Sequence, residues 1–256
     1  MDLIKLALVK VYPQKGNLAS NHTLLMEILS DIAPHHPDVV ITPECFLDGY
    51  VATEPEVTAQ DLVEFAIEPG SSGYIQETRE YARQQECWLI EGCTRCAPQG
   101  VYNTALVIDR SGRIAGMYHK THLQTHDVKF LPGNTLPVFA ADFGTFGVLI
   151  CADRRWPETV RTLALKGARI IFNPTYGQHN ERNLAMMQTR SYESEVVIAF
   201  AHPEQSLVTG PCGEILCNNT SAVERFALCE VDLLQVDRAR EGESAHLRDR
   251  RPNLYY

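Results

Sequence analysis

Three side chains with catalytic chemistry each follow a short apolar segment of the sequence. They are Glu44 after residues 39–43, Lys120 after 114–119 and Cys151 after 146–150. If neighbouring strands bring these ends together, an acid, an amine and a thiol share one pocket. A thiolate can attack a carbonyl, a carboxylate can move protons and an ammonium can stabilise negative charge. Each residue also has a structural alternative: a turn acid, a solvated charge at a strand end, or an inert buried thiol.

The segments that must position these residues alternate between strand-like and helix-like patterns. We predict helices over 18–32, 72–85, 157–167 and 181–195, and strands over 3–11, 39–41, 88–90, 102–109, 113–118, 137–143, 146–150, 168–172 and 196–201. The last third is β-rich around a turn at 211–213. This alternation fits a mixed sheet covered by helices, in which functional residues gather where strands end.

The sequence shows no low-complexity linker, which favours a single domain over residues 1–256 with 247–256 as a C-terminal tail. Segments 39–43 and 170–174 look alike, because each is an apolar strand that ends at a proline. This likeness hints at an internal two-fold symmetry.

Composition and charge exclude several classes of protein. The chain has 256 residues, of which 45% are hydrophobic and 21% are charged, as is typical of a globular protein. The formal net charge of −9 disfavours a general nucleic-acid binder, because phosphate attracts basic surfaces. No apolar run reaches the roughly 20 residues of a membrane-spanning helix. The first residues lack the features of a signal peptide and predict a first strand, so we expect a cytoplasmic protein.

The cysteines and histidines raise the alternative of a metal site. Eight cysteines without an export signal predict reduced thiols, and the Cys93–Cys96 pair has no second such pair to complete a zinc site. His119, His122 and His126 lie close in sequence, but strand alternation would separate the first two and Lys120 lies between them. We therefore expect no metal.

The residues that flank the three reactive side chains resemble the nitrilase superfamily of carbon–nitrogen hydrolases, which use a Glu-Lys-Cys triad. The resemblance is carried by Pro43-Glu44-Cys45-Phe46, Tyr118-His119-Lys120-Thr121-His122-Leu123 and Cys151-Ala152-Asp153-Arg154-Arg155-Trp156-Pro157-Glu158. Further matching positions are Tyr102-Asn103-Thr104, Pro132-Gly133, Pro211-Cys212-Gly213 and the terminal Arg251-Pro252-Asn253. The resemblance implies an α/β fold, a four-layer αββα sandwich, assembled as a homodimer or a higher homo-oligomer through helices on one face.

The resemblance also implies a role for each residue. Cys151 is the nucleophile that forms a thioester with an amide or N-carbamoyl substrate, and Glu44 is the general base. Lys120 and the Ala152 backbone N–H stabilise the oxyanion. No metal or organic cofactor is needed. We expect the charged neighbours of Cys151 to lower the pKa of its thiol, so that it is the cysteine most reactive towards iodoacetamide.

The sequence departs from the family between the lysine and Pro132-Gly133, where most members carry a second glutamate. Here His126 takes that place and Asp127 is adjacent, and we expect one of them to take over part of its role. This departure leaves open a weakened, nitrilase-like binding protein.

The arginine pair after the nucleophile most resembles the N-carbamoyl-D-amino-acid amidohydrolases, in which it helps to hold the substrate carboxylate. Arg154 and Arg155 are therefore candidate substrate-binding residues, and the alternative is that one of them is part of the scaffold. That pattern usually has asparagine after the cysteine, where this chain has Ala152. Nitrile hydrolysis is the alternative activity.

Overall fold

The computed structural model describes residues 2–243 and 245–255, which contain twelve β-strands and six α-helices. The strands are β1 Leu3–Val9, β2 Val39–Ile41, β3 Trp88–Ala97, β4 Gly100–Ile108, β5 Ile114–His119, β6 Val138–Ala141, β7 Gly144–Val148, β8 Ile170–Pro174, β9 Val197–His202, β10 Gln205–Thr209, β11 Ile215–Asn219 and β12 Phe226–Asp232. The helices are α1 Leu18–Ile32, α2 Leu62–Phe65, α3 Gly73–Gln85, α4 Pro157–Leu165, α5 Glu181–Ser194 and α6 Leu234–Glu241. The expected domain ends at Met1 and Tyr256 lie outside the described residues, as does Ser244.

The strands form two six-stranded sheets with equivalent topology. One sheet has the order β12-β1-β2-β3-β4-β5, and the other, read from its matching edge, has β6-β7-β8-β9-β10-β11. The three strands β1, β2 and β3 run parallel, as do β7, β8 and β9, and the flanking strands pair antiparallel in both sheets. The two look-alike segments therefore occupy equivalent places: 39–43 contains β2 and the two residues after it, and 170–174 is β8.

Alternating side chains divide the core into layers. In β1, Leu6 and Leu8 face the other sheet, whereas Ala7 and Val9 face α1 and α3. On the second sheet, α4 and α5 pack against the face that points away from the first sheet. The predicted four-layer αββα sandwich is confirmed.

Most predicted elements are present with shifted ends. The helices predicted over 18–32 and 72–85 are α1 and α3, and the hairpin predicted over 102–118 is β4 and β5. The strand predicted over 88–90 runs on to Ala97, and the helix α6 was not predicted. Among the described residues, no helix is long and apolar enough to cross a membrane.

Candidate active site

Two strand ends of the first sheet bring Glu44 and Lys120 into direct contact. Glu44 lies three residues beyond β2, and Lys120 follows the last residue of β5. The Lys120 ammonium donates to Glu44 Oε1 over 2.8 Å and to Asp127 Oδ2 over 2.6 Å. All three side chains are closed to solvent. One ammonium therefore bridges two buried carboxylates.

Cys151 lies three residues beyond β7, on the second sheet, where it begins a short 3-10 helix. Its φ of 46° places it in the left-handed region, which a residue with a side chain rarely adopts. Asp153 closes this turn by accepting from the Ile150 N–H over 3.0 Å. Ala152 is the second residue of this short helix. The first N–H groups of a helix have no acceptor within it, so the Ala152 N–H is free of an intrahelical hydrogen bond.

The electrostatic surroundings of Cys151 contradict the expected low thiol pKa. Burial and the negative charge of Glu44 raise the pKa of Cys151. The positive charges of Lys120 and Arg154 oppose this shift without reversing it. Cys151 as a whole residue is also only 7% exposed, whereas Cys212 is exposed, so rapid alkylation of Cys151 is no longer expected. The resting site holds a protonated thiol beside a carboxylate.

Lys120 keeps its proton in this site. Burial acts to lower its pKa, but Glu44, Cys151 and Asp127 together raise it above the ordinary value. The side chain is therefore a fixed positive charge beside the cysteine, and a developing oxyanion there would be stabilised.

Three residues that sequence reasoning did not assign to the site complete it. Asn103 of β4 donates to Glu44 Oε1 over 2.8 Å, and the Tyr176 backbone N–H donates to Glu44 Oε2 over 3.1 Å. The Tyr50 hydroxyl donates to Asp127 and lies 3.2 Å from Lys120 Nζ. Asn103 was part of the motif Tyr102-Asn103-Thr104, which was the only sequence signal for these three residues.

The structure separates the two candidates for the missing glutamate. Asp127 is completely buried and contacts Lys120 directly, and it also accepts from the Gln124 N–H over 3.0 Å. The His126 side chain is about half exposed, and its Nε2 lies 3.9 Å from Asp127. Asp127 therefore occupies the place beside the lysine, and His126 faces outward.

The two arginines that follow the cysteine also have different surroundings. Arg154 is 1% exposed and donates to Asn183 Oδ1 over 2.8 Å, to the Cys151 carbonyl and to the Gln178 carbonyl. This arrangement contradicts a substrate clamp at Arg154, because its guanidinium is bound to protein acceptors in the interior. Arg155 is exposed, and among the described residues its guanidinium donates only to the neutral side chains of Gln124 and Gln178.

The sequence-adjacent histidines have separate partners. The Nδ1 atom of His119 lies 2.9 Å from Thr104 Oγ1, and the His119 ring stacks on the Tyr102 ring. His122 lies beyond the end of β5, so the expected strand alternation does not apply to it, and its Nδ1 contacts Asp153 over 2.9 Å. Cys93 and Cys96 are three residues apart on β3, so their side chains point to opposite faces.

Comparisons with known proteins match this architecture. A family model described as carbon-nitrogen hydrolase matches residues 5–241. A nitrilase from Pyrococcus abyssi is 28% identical over 99% of this chain and 100% of its own length. The N-carbamoylputrescine amidase of Arabidopsis thaliana is 28% identical over 60% of this chain and 62% of its own length. A solved amidase from Nesterenkonia sp. has a TM-score of 0.77 at 24% identity, covering 98% of this chain and 95% of that one.

Proposed function

This chain belongs to the carbon–nitrogen hydrolase family, and we propose that it hydrolyses small linear amides or N-carbamoyl compounds through a thioester on Cys151. The observation that carries the proposal is the buried Glu44–Lys120 contact of 2.8 Å, which forms part of the electrostatic environment of the Cys151 thiol. A general base, a fixed cation and a nucleophile are the three groups that acyl transfer from nitrogen to sulfur requires.

The first half of the reaction forms the thioester. Glu44 takes the thiol proton as the Cys151 sulfur attacks the carbonyl carbon. The Glu44 oxygen that receives this proton is Oε2, since Oε1 already accepts from Lys120 and Asn103. Lys120 and the Ala152 N–H stabilise the negative oxygen of the tetrahedral intermediate. The carbon–nitrogen bond then breaks, and Glu44 returns the proton to the departing nitrogen, which leaves as ammonia or an amine.

The second half releases the acid. Glu44 removes a proton from water, whose oxygen attacks the thioester carbon. The carbon–sulfur bond breaks and the proton returns to sulfur, which restores the thiol. The sum is amide plus water to carboxylic acid plus amine, and an N-carbamoyl substrate gives a carbamate that loses carbon dioxide. No step needs a metal or an organic cofactor.

Two observations bear on the substrate. An N-carbamoylputrescine amidase is among the relatives, which supports a carbamoyl or amide substrate. Within the described part of the chain, the Arg155 guanidinium donates to neutral side-chain amides and to no carboxylate, so its charge is available to a substrate carboxylate. We propose His126 as a further substrate-binding side chain, and Asp127 as the residue that holds Lys120 in place. Nitrile hydrolysis is the second candidate, favoured by the nitrilase from Pyrococcus abyssi.

Ammonia release across matched substrates tests the proposal. The purified protein is assayed with butyramide, butyronitrile, N-carbamoylglycine and N-carbamoylputrescine, each in parallel with Cys151→Ala. We expect turnover of an amide or carbamoyl compound that the variant abolishes, with the acylated Cys151 visible in the mass of the intact protein. Turnover of the nitrile alone would favour the second candidate. Binding of these compounds without any turnover would indicate a binding protein and contradict hydrolysis.

A further inference from the structure

A buried histidine lies behind the active site, at the end of β9. His202 is 1% exposed, and its Nε2 lies 2.9 Å from the Tyr176 carbonyl oxygen. Its Nδ1 accepts from the Glu204 backbone N–H over 3.0 Å. Because Nδ1 accepts a hydrogen bond, the proton of the neutral ring is on Nε2, which donates to Tyr176. Both ring nitrogens are thus hydrogen-bonded to backbone groups.

Tyr176 connects this histidine to the reacting groups. Its carbonyl accepts from His202, and its N–H donates to Glu44 Oε2, the oxygen that takes up the thiol proton in the proposed reaction. The following residue, Gly177, lies directly against the nucleophile, since a β-carbon built there would be 3.3 Å from Cys151 Sγ. The orientation of the backbone at Tyr176 therefore sets a hydrogen bond to the general base.

Stacked rings fix the plane of the His202 ring. Its centroid lies 4.2 Å from that of His179 at an interplanar angle of 30°, and the Phe200 ring is nearly parallel at 5.9 Å. Burial and the charged form of His179 lower the pKa of His202 to about 4, with a smaller effect in the same direction from Arg154. The ring therefore stays neutral near pH 7 and keeps the Nε2–H tautomer.

The same cluster could suggest a metal site, because ligand atoms of His179, His202 and Glu204 all lie within 4.8 Å of one another. The stacking opposes this, since the lone pairs of ring nitrogens lie in the ring planes and those of stacked rings do not converge. The lone pair of His202 Nδ1 is also occupied by the Glu204 N–H. The hydrogen bond to Tyr176 is the function that the geometry supports.

We propose that His202 is a positioning residue for hydrolysis, which acts through the Tyr176 backbone to hold an N–H donor on Oε2 of Glu44. This inference rests on the proposed role of Glu44 as general base. The donor stabilises the carboxylate form of Glu44. Loss of the donor favours the protonated carboxyl, so the acidic limb of the kcat/KM profile moves to higher pH. Oε2 also loses the contact that orients it towards the thiol proton, so kcat falls.

Three variants separate this role from a merely structural one, with butyramide as the probe. His202→Phe keeps a stacking ring but removes the donor, and we expect kcat to fall by about tenfold or more while KM changes by less than about threefold. His202→Gln keeps an N–H donor, and we expect it to recover most of the lost kcat. The control His179→Phe keeps the stacked ring, and it should retain the kcat of the unmodified protein.

The outcomes distinguish this inference from the proposed function. An unchanged kcat and an unchanged acidic limb in His202→Phe would overturn the positioning role while leaving the nucleophile intact. If His202→Phe does not fold, His202→Gln tests the positioning role instead. A loss of kcat in His202→Gln as large as that of Cys151→Ala would show that an N–H donor does not restore activity, and would contradict the role. Full activity of Cys151→Ala would instead overturn the proposed function.

Discussion

The Lys120 ammonium donates a 2.6 Å hydrogen bond to the Asp127 carboxylate, and both side chains are sealed from solvent. With Glu44 on the other side of the ammonium, the three groups carry a net charge of −1 if all are ionised. A buried charge is stable only when it is paired and hydrogen-bonded. Asp127 therefore shares the lysine charge with Glu44 and holds the ammonium between the two carboxylates.

We predict that Asp127→Asn lowers kcat by about ten- to a hundredfold, the cost of one charged hydrogen bond of about 1.5–3 kcal/mol. The Lys120 ammonium would then lose one of its two anionic partners and be held less firmly beside Glu44. Steady-state kinetics with butyramide measure the effect, and KM should change little. Val128→Ala serves as the neighbouring control, since this side chain is largely exposed, and it should keep most of the activity. Unaltered kinetics in Asp127→Asn would show that the acid is dispensable.

A second buried cysteine with the same backbone conformation supplies a matched control for the nucleophile. Cys45 and Cys151 are both buried thiols with φ of 46°, each a few residues beyond a strand of its own sheet. We predict that Cys151→Ala abolishes turnover, because no sulfur remains to form the thioester, and that it keeps its folded structure by circular dichroism. Cys45→Ala should lose less than about threefold in kcat. Comparable losses in the two variants would mean that backbone strain, and not the Cys151 sulfur, explains the effect.

The four layers were predicted from the resemblance that the three ordered motifs carry, and the three reactive positions were predicted from their places after apolar segments. The expectation that neighbouring strands bring these positions together is wrong, because β2 and β5 are separated by β3 and β4 in one sheet and Cys151 follows a strand of the other sheet. The site residues contributed by loops were not predictable in this way. Tyr176 contributes its backbone N–H, which every residue except proline has, so the residue type gives no signal. Its partner Glu44 is 132 positions away in the sequence.

The other differences between the sequence-based predictions and the structure have similar causes. The helix α6 is mostly polar, and Val236 is its only buried residue, so it carries no clear apolar period. The pKa of Cys151 depends on burial, which cannot be read from neighbouring residues in sequence. The same applies to Arg154, whose acceptors at Gln178 and Asn183 lie more than twenty positions away.

The two arginines should respond differently to substrate charge. Succinamate and butyramide are of similar size, but only succinamate carries a carboxylate. We predict that Arg155→Gln lowers kcat/KM for succinamate about ten- to a hundredfold with little effect on butyramide, because only the carboxylate loses a charged hydrogen bond. Arg154→Lys should lower the activity on both substrates equally, since its planar guanidinium holds the Cys151 carbonyl. Equal losses on both substrates in Arg155→Gln would refute a carboxylate contact.

A buried glutamate away from the active site makes stability depend on pH. Glu91 of β3 is completely buried, and burial raises its pKa from 4.5 to about 7, although a hydrogen bond with Thr78 over 2.8 Å acts in the opposite direction. Its second oxygen, Oε1, has no hydrogen-bond partner among the residues that the structure describes. Below pH 4.5 the carboxyl is protonated in both the folded and the unfolded chain. Between pH 4.5 and about 7 the unfolded chain releases this proton first, so the free energy of unfolding falls as the pH rises.

We predict that Glu91→Gln removes this dependence, because an amide of the same size stays neutral at every pH. The variant should gain up to about 3 kcal/mol in the free energy of unfolding relative to the unmodified chain at pH 8, and much less at pH 4.5. Urea denaturation at pH 4.5, 6, 7 and 8 measures the difference, with the exposed Glu86→Gln as a charge-matched control that should show no such trend. Parallel stability curves for Glu91→Gln and the unmodified chain across this range would contradict a buried carboxyl that titrates near pH 7.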